Sequence, residues 1–292
     1  DRQGDRYVCQ ILNVQTRVKR TVPHPIYAVS PDGRWAVATD LRRLADTRPG
    51  YGYNGIPDPN QAVLAPQDAG IWRVDLDTGR QDLLLSLADA AKIPFPGRDL
   101  SQAKHWFNHL LFNQDGSRFI FLHRWHKGQG PGRYTRGFTA RPDGSDIFCF
   151  GEHGMVSHFI WRDPKHILAW STEPDGNFFH LYEDQTEHVE AIGAGVLKVD
   201  GHCTYSPDAQ WIITDTYPDR DRMQNLMLYR PKDGKLVNLG RFYQEQPSDN
   251  EWRCDLHPRW SRDGRYVCID SKHSGRRQMY LLDVSGIILA AD

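Results

Sequence analysis

The chain has 292 residues, with 36 Lys and Arg against 37 Asp and Glu, so its formal net charge is −1. This balance provides no basic surface for nucleic acid or for an anionic membrane. Charged residues make up 25% and hydrophobic residues 39%, which is the composition of a globular domain. No apolar run approaches the ~18 residues that a membrane-spanning helix needs.

The N-terminal segment and the cysteines leave the compartment open. Residues 1–6 contain neither Met nor an apolar signal region, so we interpret this start as a processed or truncated end. Five cysteines are an odd number, and none forms a Cys-x-x-Cys pair. They therefore argue against a disulfide framework and are expected to be buried thiols or a metal ligand.

A short turn followed by an apolar strand recurs along the chain. Each turn separates two short apolar runs, which is typical of a β-hairpin whose Asp-Gly pair adopts left-handed backbone angles. The turns lie at residues 30–33 (Ser-Pro-Asp-Gly), 113–116, 162–165 (a degenerate copy), 206–209 and 261–264.

A second hairpin follows in most units, for example at residues 70–79 and 226–234. Two hairpins per unit predict four-stranded blades of roughly 45–50 residues, and hence an all-β fold, a β-propeller of antiparallel blades. Helical periodicity is confined to residues 84–92. An open β-sandwich is the alternative fold.

We expect a single propeller domain over residues 1–292. Its predicted parts are a partial blade at 1–22 and blades at about 24–90, 105–151, 155–193, 200–243 and 252–289. Because a propeller must close to remove its sheet edges, a chain that begins within a blade predicts missing or incomplete N-terminal blades.

An insertion at residues 48–59 is rich in Gly, Pro and Tyr, a composition typical of loops. Its Tyr51 and Tyr53 are candidates for stacking on a sugar ring. A loop that packs on its own surface is an equally good interpretation.

Histidine recurs at one position of the repeat. Four residues before the first turn residue stand Ile26, His109, His158, His202 and His257, although His is only 13 of 292 residues. Equivalent positions on the inner strands of a propeller lie at one height, so the four imidazoles should converge. A metal or an anionic ligand would relieve the repulsion among them.

Further polar residues are predicted at the same height. His123 is expected close to cross-strand from His109, and Arg124 and His126 follow it. His202, His257 and Cys254 are the predicted metal ligands of a zinc-type N/S site. Asp255 is either a fourth ligand or a partner that orients the ligands. Cys203 is a weaker candidate, because adjacent strand residues point to opposite faces.

A phenol and a guanidinium complete the predicted site. Tyr205 and the segment 215–222, which contains Arg220 and Arg222, could provide a proton shuttle and a carboxylate clamp. The alternative is a core tyrosine and a solvated charged turn.

With these residues the chain resembles the β-propeller polysaccharide lyases, the oligogalacturonate lyases and their ulvan lyase relatives. The resemblance covers about residues 27–284. It rests on the segments 108–113 (Asn-His-Leu-Leu-Phe-Asn), 157–161 (Ser-His-Phe-Ile-Trp), 201–206 (Gly-His-Cys-Thr-Tyr-Ser) and 256–261 (Leu-His-Pro-Arg-Trp-Ser).

The resemblance implies a seven-bladed propeller with a metal on His202 and His257. The oligogalacturonate branch has a Gln and a second His near the last ligand, where this chain has Trp252, Cys254 and Asp255. That departure favours zinc, as in the ulvan branch, over manganese.

The two branches imply different bases. The oligogalacturonate branch implies a His base at His158. The ulvan branch implies paired His with a Tyr and an Arg, which fall on His109, on His123 or His126, on Tyr205, and on Arg220 or Arg222.

The expected function is therefore metal-assisted β-elimination of a uronate-containing polysaccharide or oligosaccharide, with Arg124, His126, Arg222, Tyr51 and Tyr53 binding substrate. The alternative is a non-catalytic, TolB-like propeller that binds carbohydrate or protein. The expected partner is an acidic saccharide, without nucleic acid or membrane. A secreted or periplasmic location is favoured, and a cytoplasmic one stays open.

Overall fold

The computed structural model describes residues 1–126, 132–247 and 252–288, and the chain divides into two compact units, Asp1–Met155 and Val156–Asp292. Both units consist of antiparallel β-sheets, and the described part of the chain has three short helices, α1 (Leu41–Thr47), α2 (Leu87–Lys92) and α3 (Ser285–Ile288). None of these helices is long and apolar enough to cross a membrane. The expected all-β class is confirmed.

The first unit contains two small and two four-stranded sheets. The two-stranded sheets pair β1 with β2 and β3 with β4, and the larger sheets have the orders β5-β6-β7-β8 and β12-β11-β10-β9. The strands are β1 (Arg2–Gln3), β2 (Arg6–Tyr7), β3 (Cys9–Leu12), β4 (Lys19–Val22), β5 (Ala28–Val29), β6 (Trp35–Thr39), β7 (Gly70–Asp75), β8 (Gln81–Ser86), β9 (His105–Phe112), β10 (Phe119–His126), β11 (Arg133–Ala140) and β12 (Phe148–Phe150).

The second unit contains two four-stranded sheets and one three-stranded sheet. Their orders are β13-β14-β15-β16, β17-β18-β19-β20 and β21-β22-β23. The strands are β13 (Val156–Asp163), β14 (His166–Glu173), β15 (Gly176–Glu183), β16 (Val189–Ile192), β17 (Thr204–Tyr205), β18 (Ile212–Asp215), β19 (Met223–Arg230), β20 (Lys235–Tyr243), β21 (Arg259–Trp260), β22 (Tyr266–Ser271) and β23 (Gln278–Asp283).

The recurring turns have a common construction. In the first, the Ser30 hydroxyl donates to Asp32 (2.5 Å) and accepts the backbone N–H of Trp35 (3.0 Å). The fourth turn residue is left-handed, with φ of 72° at Gly33 and 57° at Ala209, where the chain has no glycine. The same hydroxyl–carboxylate bond recurs at Ser206 and Ser261, so these turns are fixed locally, which explains why the motif predicts hairpins.

Each unit has a large buried cluster to which strand residues contribute most of the side chains. In the first unit Phe107, Phe121 and Phe138 belong to one buried cluster. In the second, Trp211, Leu228 and Ile269 belong to another.

The segment predicted as helical ends β8 and then forms α2, which contributes Leu87 and Ala90 to the core of the first unit. Helix α1 was not predicted, and its N-terminus is capped by Asp40, which accepts the N–H of Arg42 (2.9 Å).

Candidate metal centre

Three side chains of the second unit form a group that could hold a metal ion. The ligand atoms of His202, Asp255 and His257 lie within 4.8 Å of one another, and the two imidazole centroids are 3.7 Å apart. His158 continues the row, since its ring centroid is 4.0 Å from that of His202. Three of the four predicted histidines are thus brought together.

Neighbouring first strands explain this convergence. His158 lies on β13, while His202 and His257 each stand two residues before β17 and β21, respectively. Strand β13 contacts β17, and β17 contacts β21. The repeat therefore places equivalent residues of successive sheets side by side, although they are 44 and 55 positions apart in the sequence.

A buried carboxylate fixes two of these histidines. Asp215, only 1% exposed, accepts the backbone N–H of His202 (2.7 Å) and that of His257 (3.0 Å). It also bonds Nδ1 of His202 (2.9 Å), which leaves the Nε2 atom of that ring for a ligand. The approach depends on Gly201, where a Cβ atom would stand 1.9 Å from the Asp215 carbonyl oxygen.

The third member of the group, Asp255, forms an ion pair with Arg253. Arg253 Nε donates to Oδ2 of Asp255 (2.9 Å). Oδ1 is buried and accepts no hydrogen bond from the described residues, although the same nitrogen is 2.8 Å away. A cation between this oxygen and the two imidazoles would satisfy it, and two nitrogens with one carboxylate oxygen are ordinary donors for a divalent metal. The residues therefore fit a metal.

His158 connects this group to a phenol. Its Nδ1 is 2.9 Å from Oδ1 of Asp200, and its Nε2 is 3.2 Å from the hydroxyl of Tyr217. Because the carboxylate can only accept, Nδ1 carries the proton and Nε2 accepts from Tyr217. Burial lowers the pKa of His158 below its ordinary value, so the ring is neutral and able to take a proton.

Cys254, predicted as a ligand, is not a member of the described metal group. Its side chain is 1% exposed, and burial raises the pKa of the thiol. Asp255, predicted as a fourth ligand or an orienting partner, supplies the carboxylate of the group. Cys203 is also buried, and burial raises its pKa too.

Tyr205 is a buried residue of β17. It pairs with Ile212 in the sheet and is 9% exposed, and burial raises the pKa of its phenol. Tyr217 takes the place expected of Tyr205. It belongs to the segment 215–222 that the sequence had indicated, but nothing in the repeat pattern distinguished it.

The arginine near the site was also missed. Arg253 stacks on Tyr217 with its guanidinium carbon 4.7 Å from the ring centroid. The predicted Arg220 is exposed on a turn. Arg222 donates to the carbonyls of Gln244 (3.0 Å) and Glu245 (3.4 Å), so its guanidinium holds backbone.

The fourth histidine of the repeat belongs to the first unit. His109 has a left-handed φ of 52° and lies in an irregularity of the β9–β10 ladder. Its Nδ1 is 3.3 Å from the Tyr27 hydroxyl, and Tyr51 meets its ring edge-on at 6.0 Å between centroids.

His123 is not directly across from His109. The regular register of Phe112 with Phe119 would place it opposite Asn108, and the irregularity moves it by one position to Phe107. His123 is fully buried, and its nitrogens bond His105 (3.0 Å) and Arg136 (3.2 Å). Burial lowers its pKa well below the ordinary value. This arrangement is that of a core residue without access to substrate.

The remaining predicted substrate residues have different environments. Arg124 is 2% exposed. The ring of His126 packs on Trp106 at 4.8 Å between centroids. Tyr51 and Tyr53 are exposed by 38% and 51%, and Tyr53 packs edge-on against Tyr7.

Solved structures resemble this chain in fold. An oligogalacturonate lyase in complex with manganese has a TM-score of 0.66 at 15% identity, over 94% of this chain and 70% of that chain. A putative TolB from Agrobacterium tumefaciens has a TM-score of 0.52 at 13% identity, over 96% and 85%. The β-propeller domain of the Trilobed protease from Pyrococcus furiosus has a TM-score of 0.54 at 16% identity, over 94% and 71%.

No protein-family model matches the chain, and no curated protein matches it. Identities this low show the fold alone. Together with the four-stranded antiparallel sheets, they confirm the predicted class, while the number of seven blades stays a prediction. The fold of this chain is a β-propeller.

Proposed function

We propose that the protein is a lyase that cleaves a uronate-containing polysaccharide or oligosaccharide by β-elimination. The observation that carries the proposal is the juxtaposition, within the second unit, of the His202–Asp255–His257 group with the Asp200–His158–Tyr217 chain of hydrogen bonds. One part suits a carboxylate-neutralising cation, and the other suits proton transfer.

β-Elimination of a uronate needs both parts. The proton on C5 is removed, the 4-linked sugar leaves, and a conjugated double bond remains. The C5 proton becomes acidic enough only when the neighbouring carboxylate is neutralised. A divalent cation, when bound, supplies that neutralisation as a Lewis acid.

His158 and Tyr217 provide the path for the proton. The Tyr217 oxygen takes the C5 proton while its own proton moves to Nε2 of His158, and Asp200 stabilises the imidazolium through Nδ1. The same proton can return through Tyr217 to the oxygen of the leaving sugar. Arg253 is stacked on the phenol ring, so its positive charge stabilises negative charge that develops on the Tyr217 oxygen.

The proposed metal is zinc or manganese. The argument for zinc rested on Cys254 as a sulfur ligand, and the group of two imidazoles and one carboxylate no longer requires it. The similar lyase structure is a manganese complex. Metal content of the purified protein distinguishes the two.

The experiment follows ultraviolet absorbance of the conjugated uronate during incubation with oligogalacturonate, ulvan or a glucuronan, with a metal-stripped sample as control. Rising absorbance on one polymer names the substrate class. Absorbance that stays flat on all three, with metal bound and the protein folded, would contradict the proposal and would favour the binding propeller.

A further inference from the structure

The buried arginines of the first unit differ in how many of their guanidinium nitrogens have a hydrogen-bond acceptor. Arg43, Arg118 and Arg136 all donate to protein acceptors: Arg43 to three carbonyls and Asp58, Arg118 to Asp146 and Thr139, and Arg136 to three carbonyls and His123. Arg124 is equally buried, at 2% exposure. Its Nε and Nη1 atoms are buried without a hydrogen-bond partner in the described chain.

The sheet face that carries Arg124 has further buried donors without a hydrogen-bond partner among the described residues. Arg124 pairs with Trp106 and Leu122 pairs with Asn108 on the β9–β10 ladder, so Arg124, Trp106 and Asn108 share one face. Trp106 Nε1 and Asn108 Nδ2 are also buried without a partner among the described residues. The amide orientation is fixed, because Oδ1 of Asn108 accepts the N–H of His109 (2.8 Å). Every unsatisfied atom of this trio is a donor.

The charges around Arg124 do not compensate for it. The groups that act on its guanidinium most strongly include Arg48 and Arg133, which repel it, and the phenols of Tyr27 and Tyr51. Burial is the main reason why the pKa of Arg124 falls well below its ordinary value. A buried cation without an anion is costly, and so are buried donors without acceptors.

We propose that this face of β9–β10 is an oxyanion site, which takes a carboxylate or sulfate group through Arg124, Asn108 and Trp106. An oxyanion supplies several acceptor oxygens and a compensating charge, which are the two things that the face lacks. None of these residues belongs to the metal group, so the proposal does not rest on the proposed lyase chemistry.

Neighbouring residues extend the site toward solvent. Tyr27 places its hydroxyl 3.3 Å from both Asn108 Oδ1 and His109 Nδ1. Tyr51 is 38% exposed and carries Arg48 stacked on its ring at 3.6 Å. The exposed ring of Tyr51 fits an acidic saccharide whose sugar ring would stack there while its anionic group reaches Arg124.

The test measures anion-dependent stability and binding in the whole chain. Thermal unfolding and isothermal titration use glucuronate and sulfate as separate probes, with glucose and with sodium chloride at equal ionic strength as controls. We expect both oxyanions to raise Tm beyond the chloride control, and glucose to have no effect. A response to glucuronate alone assigns a carboxylate site, and a response to sulfate alone assigns a sulfate site.

The informative variant is Arg124→Met, with Arg136→Met as the matched control. Since Nε and Nη1 of Arg124 lack hydrogen-bond partners among the described residues, R124M should be at least as stable as the wild type without oxyanion and should bind it about tenfold more weakly or worse. R136M breaks four hydrogen bonds, so it should lose stability but keep the anion response if it folds.

Two results would overturn the site. One is a wild-type protein that shows no binding of either oxyanion by titration. The other is an R124M protein that keeps the full response. If R124M does not fold, Arg124→Lys replaces it, and the wild-type titration still decides. Metal content is measured in parallel, so failure of this site is distinguishable from failure of the lyase proposal.

Discussion

The carboxylate of Asp215 accepts the backbone N–H of His257 at 3.0 Å, across 42 residues of sequence. The same side chain holds the backbone and the ring of His202. One buried acid at the end of β18 therefore sets the position of two candidate ligands from two different sheets. Its role is positioning, because it does not belong to the candidate ligand group.

Replacing this carboxylate should weaken metal binding. In Asp215→Asn the amide offers one acceptor oxygen where two oxygens serve three N–H groups. We expect a roughly 10–100-fold lower metal affinity and a loss of about 1–3 kcal/mol in the free energy of unfolding. Titration with Zn²⁺ and Mn²⁺ and urea denaturation of the apoprotein measure the two effects. Unchanged affinity would rule out the positioning role.

The ligand group itself predicts a contrast between neighbouring residues. His202→Ala, His257→Ala and Asp255→Asn should each lower metal affinity by about 100-fold or more, since losing an outer partner alone costs roughly 10–100-fold. Cys254→Ser should retain the metal, because this thiol is buried and absent from the described ligand group. Elemental analysis of the dialysed variants checks both. Loss of the metal from the Cys254→Ser variant would contradict this prediction and would support Cys254 as a sulfur ligand.

The two tyrosines predict opposite results. Tyr217→Phe removes the hydroxyl that bonds His158, and kcat for uronate cleavage should fall by roughly 100-fold or more, as expected for a lost acid–base group. Tyr205→Phe should leave kcat nearly unchanged, because Tyr205 is buried in the sheet. Initial rates of double-bond formation at saturating substrate measure kcat. Equal losses in both variants would contradict the role of Tyr217.

A histidine pair in the first unit predicts a pH dependence of stability. Arg136 donates to His123 Nδ1, so His123 Nε2 donates to His105 Nδ1, and His105 Nε2 donates to the Leu100 carbonyl. This series of hydrogen bonds requires the rings of His123 and His105 to be neutral. Burial lowers the pKa of His105 to about 4.

The sign follows from proton uptake. Between about pH 6.5 and pH 4 the unfolded chain protonates this histidine and the folded protein does not, so stability falls as the pH falls, by about 3 kcal/mol for His105. Urea denaturation at several pH values measures the slope. His105→Gln keeps a donor and an acceptor. It should reduce the slope of the free energy of unfolding against pH, because up to one proton fewer is taken up on unfolding. An unchanged slope would mean that His105 does not titrate in this way.

The sequence by itself determined the architecture, because turn chemistry is local. In the turns that begin at Ser30, Ser206 and Ser261, the serine and the aspartate two residues later fix the hairpin through their own hydrogen bonds. The histidine register was equally readable, since a repeated unit returns equivalent positions to neighbouring first strands. The rings of His158, His202 and His257 do lie side by side, as this register predicts.

Only the tertiary structure decided which neighbours of those histidines take part. Cys254 and Asp255 are adjacent in sequence, and the packing of the chain decides which of them faces the group. The irregularity at His109 moved His123 to a different pair, and no sequence signal marked it. Two nitrogens of Arg124 are buried without an acceptor among the residues that the structure describes. Asp215, Tyr217 and Arg253 contact the site through residues far apart in the chain. Such contacts depend on side-chain direction and register, which local sequence does not specify.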